Sequence, residues 1–152
     1  MSKITRKLKS GATALAAAAL VIGLSAVAPA HAQQGTIKIG LLPPVTGPLA
    51  SPGADMVAGF QLFWEQANHM AGGRKVEVVI GDTTCNPDQA LTQARRLVLQ
   101  EKVNLLVGPL CGHEGPAVAQ VSKETGVPLV MDAAGADNVT KWNLTPTVVR
   151  TA

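Results

Sequence analysis

The side chains able to do chemistry cluster where apolar runs end. Asp82 follows Val78-Val79-Ile80-Gly81, and Cys85 comes three residues later. Cys111-Gly112-His113-Glu114 follows Leu105 to Pro109, and Asp132 follows Val130-Met131. Two cysteines with a histidine nearby suggest either a metal or a disulfide. A structural zinc site takes four ligands in recognisable spacings, and none of those spacings occurs here. In an oxidising compartment an even pair reads first as a disulfide, here between Cys85 and Cys111. His113 and Glu114 place a base beside an acid, but neighbouring loop residues of this kind are ordinarily solvated. Asp82 and Asp132, each at a strand end, are the better site candidates, with turn or capping roles as the alternative. His69, one turn after Glu65 on an expected helix, reads as half of a surface pair. Trp64 and Trp142 offer faces for stacking on a ring, although packing in the core or at the domain edge accounts for both.

Several chemistries lack their motifs. Gly108, Gly112 and Gly115 have the wrong spacing for a dinucleotide fingerprint, and no Gly-Lys-Ser/Thr phosphate loop occurs. There is no Gly-x-Ser-x-Gly nucleophile elbow. The expectation is a protein that is not an enzyme, with no cofactor and no metal.

The elements that would position these residues follow from periodicity. Thr36 to Leu42, Lys75 to Ile80, Asn104 to Gly108 and Val127 to Met131 are short apolar runs, and Thr147 to Arg150 reads as a fifth. Between them lie helical patterns. From Ala54 to Met70 the residues Met56, Phe60, Phe63, Ala67 and Met70 share one face, with Gly72-Gly73 as the stop. A second helix opens at Asn86-Pro87, with Asn86 as N-cap, Pro87 at the first position and Gln89 placed for a capping box. Leu91, Ala94, Leu97 and Val98 form its buried stripe. A third opens at Gly115-Pro116 and ends at Gly126. Strands separated by helices predict an α/β fold, a doubly wound and mostly parallel sheet with helices on both faces. Ligands of such sheets sit beyond the strand carboxyl ends, where strand order reverses. The loops there are Pro43 to Gly53, Pro109 to Gly115 and Asp132 to Asp137. Their Gly, Pro and Ala content lets backbone approach a ligand, though tight turns have the same composition.

The N-terminus reads as an address. Lys3, Arg6, Lys7 and Lys9 precede an apolar stretch from Gly11 to Ala28, and Ala30-His31-Ala32 is a small-x-small cleavage pattern. Residues 1–32 are expected to be a signal peptide that delivers a soluble, disulfide-bonded domain, 33–152, to the periplasm. The chain holds 13 Lys+Arg against 10 Asp+Glu, but four of the basic residues belong to the leader. The remaining nine against ten leave a net charge of −1, so the basic balance of the whole chain is no evidence for nucleic-acid binding, and none is expected.

A resemblance emerges once these residues are set out. Ile37-Lys38-Ile39-Gly40, Thr46-Gly47-Pro48-Leu49-Ala50 and Gly59 resemble the leucine/isoleucine/valine-binding branch of type I periplasmic binding proteins. So do Asp82-Thr83-Thr84-Cys85-Asn86-Pro87, Val107-Gly108-Pro109-Leu110-Cys111 and Val149-Arg150-Thr151-Ala152. The likeness covers Thr36 to Ala152, and both cysteines fall where disulfide-bearing members place theirs. It implies the substrate-binding component of an ABC importer: two lobes closing on a branched-chain amino acid or related small carboxylate or amide, read by permease subunits. A sensory or regulatory binding domain of the same fold is the alternative. The chain would be the N-terminal lobe alone, with the second lobe absent. The implied ligand-binding residues are Ser51, Pro52, Cys111, Gly112, His113, Ala133, Ala134 and Gly135. The resemblance puts a serine at Gly112, a threonine at Gly135 and an aromatic residue at Pro52, so backbone groups and Ser51 would carry more of the binding.

Overall fold

In the computed structural model, residues 35–142 and 144–151 are described; the expected signal peptide lies outside them. The five expected strands all form: β1 (Ile37–Leu41), β3 (Arg74–Ile80), β4 (Leu105–Val107), β5 (Leu129–Met131) and β6 (Val148–Arg150). They are parallel, and a two-residue strand not read from sequence, β2 (Met70–Ala71), pairs antiparallel with β3. The order is β2-β3-β1-β4-β5-β6, so strand order reverses between β1 and β4, as expected.

Alternation along the strands feeds two apolar layers. Ile39 and Leu41 of β1, Val76 of β3 and Val107 of β4 face helix α1 (Ala50–Gln66), which contributes Met56, Val57, Phe60 and Trp64. On the other face Leu106, Leu129 and Met131 meet α2 (Pro87–Leu99) and α3 (Gly115–Thr125), through Ala90, Ala94, Leu97, Val118 and Val121 among others. Adjacent residues such as Leu106 and Val107 thus serve opposite layers, the signature of a sheet covered on both sides.

The first helix departs from its expected bounds. It begins four residues earlier, at Ala50, and ends at Gln66. Asn68 and His69 then take left-handed backbone (φ 50° and 52°), and the chain folds back through Gly72-Gly73 as a hairpin. His69 is therefore off the helix, in the turn that follows it, its amide donating to the Trp64 carbonyl oxygen (2.7 Å). Met70 leaves the helical stripe for β2, and Phe63 stays 59% exposed, its ring edge-on to Trp64. Met56 and Phe60 of the expected stripe do face the core, and Val57 and Trp64 complete the face in place of Phe63 and Met70. Gly53 is the reason α1 can start so near the sheet: a Cβ there would lie 2.0 Å from the Pro44 carbonyl oxygen.

The start of α2 follows the sequence closely. Asn86 Oδ1 accepts from the amides of Asp88 (2.9 Å) and Gln89 (3.1 Å), and Pro87 takes the first helical position. Asn86→Ala should cost about 1 kcal/mol. Urea unfolding checks this, and an unchanged midpoint would show that the cap contributes nothing.

Candidate functional site

Backbone ladders run up to the loops at the strand carboxyl ends. Leu42 N–H donates to Val107 O (3.0 Å) and Gly108 N–H to Val130 O (3.0 Å), which fixes the exits of β1, β4 and β5 side by side. Gly108 turns there with φ 105°, where a side chain would meet the Leu42 carbonyl oxygen at 3.0 Å. Beyond that turn the β4 and β5 loops touch. A Cβ on Gly112 would stand 3.7 Å from the Gly135 amide nitrogen and 3.8 Å from its carbonyl oxygen. Two bare stretches of backbone therefore face each other next to the first turn of α3.

The loop after β3 is bound to both neighbours. Asp82 accepts from Val45 N–H (2.9 Å), Thr46 N–H (3.4 Å), the Thr46 hydroxyl and Thr84 N–H (3.0 Å). Burial pushes its carboxyl up, but the Thr46 hydroxyl and the amides of Thr84, Thr46 and Val45 outweigh it and hold the pKa below the usual aspartate value. On the other side Cys85 forms the expected disulfide with Cys111, their Cα atoms 5.7 Å apart. His113 Nε2–H donates to the Cys85 carbonyl oxygen (3.0 Å), a second strap between the same two loops. Thr84 and Cys85 are both left-handed (φ 53° and 56°), a conformation that costs non-glycine residues and persists only when its surroundings impose it. The Asp82 bond and the disulfide impose it here.

The expected site residues take different positions. Cys111, Gly112 and Gly135 come together with His113 at the rim, where it is exposed. Ala133 is exposed, whereas the Ala134 methyl is buried in the core and leaves only its backbone to a ligand. Ser51 and Pro52 sit exposed in the first turn of α1, on the β1 side. Asp132 is half-buried with Oδ1 unpartnered, and burial raises its pKa against its own and the Ala133 backbone. Trp64 packs under α1, while Trp142 is 76% exposed and packs in no core.

Glu114 corrects the expectation of a solvated acid. It is completely buried, as is Thr83, and among the described residues neither carboxyl oxygen nor the Thr83 hydroxyl has a hydrogen-bond partner. Its adjacency to His113 hid this, because the single 3₁₀ turn Gly112–Glu114 sends the two side chains in opposite directions, one out and one in. The clasp by Asp82 was partly legible, since an Asp two residues before Thr84 is an Asx-turn pattern.

Known proteins share this arrangement. Residues 36–152 match the family model of the periplasmic binding proteins. Leu/Ile/Val-binding protein homolog 7 of Brucella suis biovar 1 (strain 1330) is 39% identical over 133 residues, 86% of this chain and 32% of the relative. A solute binding protein of an ABC transporter from Rhodopseudomonas palustris BisB5, solved with 3,4-dihydroxybenzoic acid, superimposes with a TM-score of 0.71 at 31% identity, over 77% of this chain and 32% of that one. The branched-chain amino acid transporter substrate binding protein LivJ of Streptococcus pneumoniae, solved with isoleucine, gives 0.69 at 31% identity, over 76% and 33%. The chain thus spans about a third of the length of the proteins it matches. On a match of this extent, joined to the strand order already described, the chain belongs to the type I periplasmic binding proteins, in their Leu/Ile/Val-binding-protein branch.

Proposed function

We propose that residues 33–152 form the first lobe of an ABC importer's substrate-binding component, capturing a small carboxylate in the periplasm for its permease subunits. The observation that carries this reading is the facing pair Gly112 and Gly135 at the switch point, beside the first turn of α3. Free amides at a helix start favour an anion, and a loop without side chains lets a carboxylate reach them. Ser51, Pro52, Cys111, His113, Ala133 and Ala134 are assigned to the surrounding wall, several through backbone alone. Branched-chain amino acids and aromatic acids both carry the required group. The leader residues Lys3 to Ala32 support export, and binding without chemical turnover is part of the proposal.

A thermal-shift series with L-isoleucine, L-leucine, benzoate and glucose tests it. At least one of the carboxylates should raise the melting temperature in a saturable way, by several degrees once its concentration reaches about a hundred times Kd, equivalent to about 2.7 kcal/mol. Glucose should do nothing. If all four leave the melting temperature unmoved, the reading is wrong.

A further inference from the structure

The most unusual group outside the ligand-facing backbone is Glu114. It belongs to the segment 111–115, which the disulfide ties to the segment 82–86, and its side chain has no access to solvent. The Thr83 hydroxyl and the Cys111 and Asn86 backbone surround it, yet among the described residues no hydrogen bond closes on either oxygen, and the Thr83 hydroxyl is equally unpartnered. A buried carboxylate in such a place would be costly, whereas a neutral acid carries its own donor and can share it with the Thr83 oxygen.

We propose that Glu114, in its protonated form, is a positioning residue of the candidate site, bridging to Thr83 so that the Gly112 loop is seated on the 82–86 segment. The effect on ligand rests on the function proposed above; the effect on the fold does not. The other charged groups nearby do not change the assignment. Burial raises the Glu114 pKa, against the opposing pull of the Thr83 hydroxyl, the Cys111 backbone, His113 on the same turn and the Asn86 backbone. Asp82 on the adjoining segment is committed to its own donors, Asp88 at the start of α2 is exposed, and Asp132 follows β5 with its pKa also raised by burial. No lysine or arginine is among the groups acting on Glu114.

The sign of the pH dependence follows. Because the folded pKa lies above the unfolded one, the stabilisation is complete below the ordinary glutamate value and is lost as pH rises through the folded value. Glu114→Gln keeps the shape and a donor but cannot ionise. Thermal unfolding of the parent and of this variant, each followed from about pH 4 to about pH 8, isolates the contribution, because Asp82 and Asp132 are common to both. The two should melt together at the acid end, and the variant should melt several degrees higher at the alkaline end. Curves that stay parallel across the range, or a variant that melts lower at the alkaline end, would overturn the proposal. Repeating the series with benzoate and L-isoleucine adds the positioning readout: the ligand-induced shift should fade with rising pH in the parent and persist in the variant. If the unfolding curves diverge as expected while neither ligand acts at any pH, the function proposal fails and the role of Glu114 in the fold stands.

Discussion

Cys85→Ala/Cys111→Ala is expected to unfold about 3 kcal/mol more easily than the parent. The bridge closes a loop with a sequence separation of 26 residues, and the chain-entropy argument gives about that figure for a loop of this size. The loss should not be confined to global stability. Thr84 and Cys85 hold left-handed backbone that the bridge helps to impose, and without it that segment relaxes away from the Gly112 loop. His113 then loses the fixed carbonyl it straps. Denaturant unfolding of the double variant, read beside its ligand-induced thermal shift, checks both effects. An unfolding free energy within about 0.5 kcal/mol of the parent would show that the closed loop adds nothing to this fold. A ligand response surviving at full size would show that the loops are seated by other means.

The strands and the switch point were legible in the sequence because they depend on pattern. Short β-rich runs separated by helical stripes leave few topologies, and right-handed crossovers leave fewer still. Asn86-Pro87 named the start of α2 because a cap is a local device, complete within four residues. The start of α1 was hidden because it depends on Gly53 lying against Pro44, a contact between the helix and the end of β1. The end was misread for another reason: the apolar stripe continued into Met70, and only the left-handed Asn68 and His69 break it. At the site, the cysteine pairing and the glycine-rich loops could be read, but the closeness of Gly112 and Gly135 depends on the adjacency of β4 and β5. Burial of Glu114 could not be read at all. A single turn decides which of two neighbouring polar side chains enters the interior, and composition carries no trace of that choice.

Asp82→Ala is expected to cost about 2 kcal/mol and to loosen the β1 loop that carries Ser51 and Pro52. One carboxylate there serves three amides and a hydroxyl on two segments, and hydrogen bonds to a charged group are individually stronger than neutral ones. The Val45 and Thr84 bonds are partly buried and should account for most of the loss, while the Thr46 pair is exposed and screened by solvent. Asp82→Asn separates charge from shape: it keeps one acceptor oxygen for the three amides but places an NH2 group where the Thr46 hydroxyl donates, so it should recover only part of the loss. The pH dependence runs opposite to that of Glu114. The folded pKa of Asp82 is depressed, so its contribution is present above the ordinary aspartate value and disappears as pH falls through the folded value. The parent should therefore lose stability towards acid more steeply than Asp82→Ala, and the two unfolding curves should converge at the acid end. Curves that remain equally spaced down to about pH 3 would mean that the carboxylate charge is not what holds the β1 and β3 loops together.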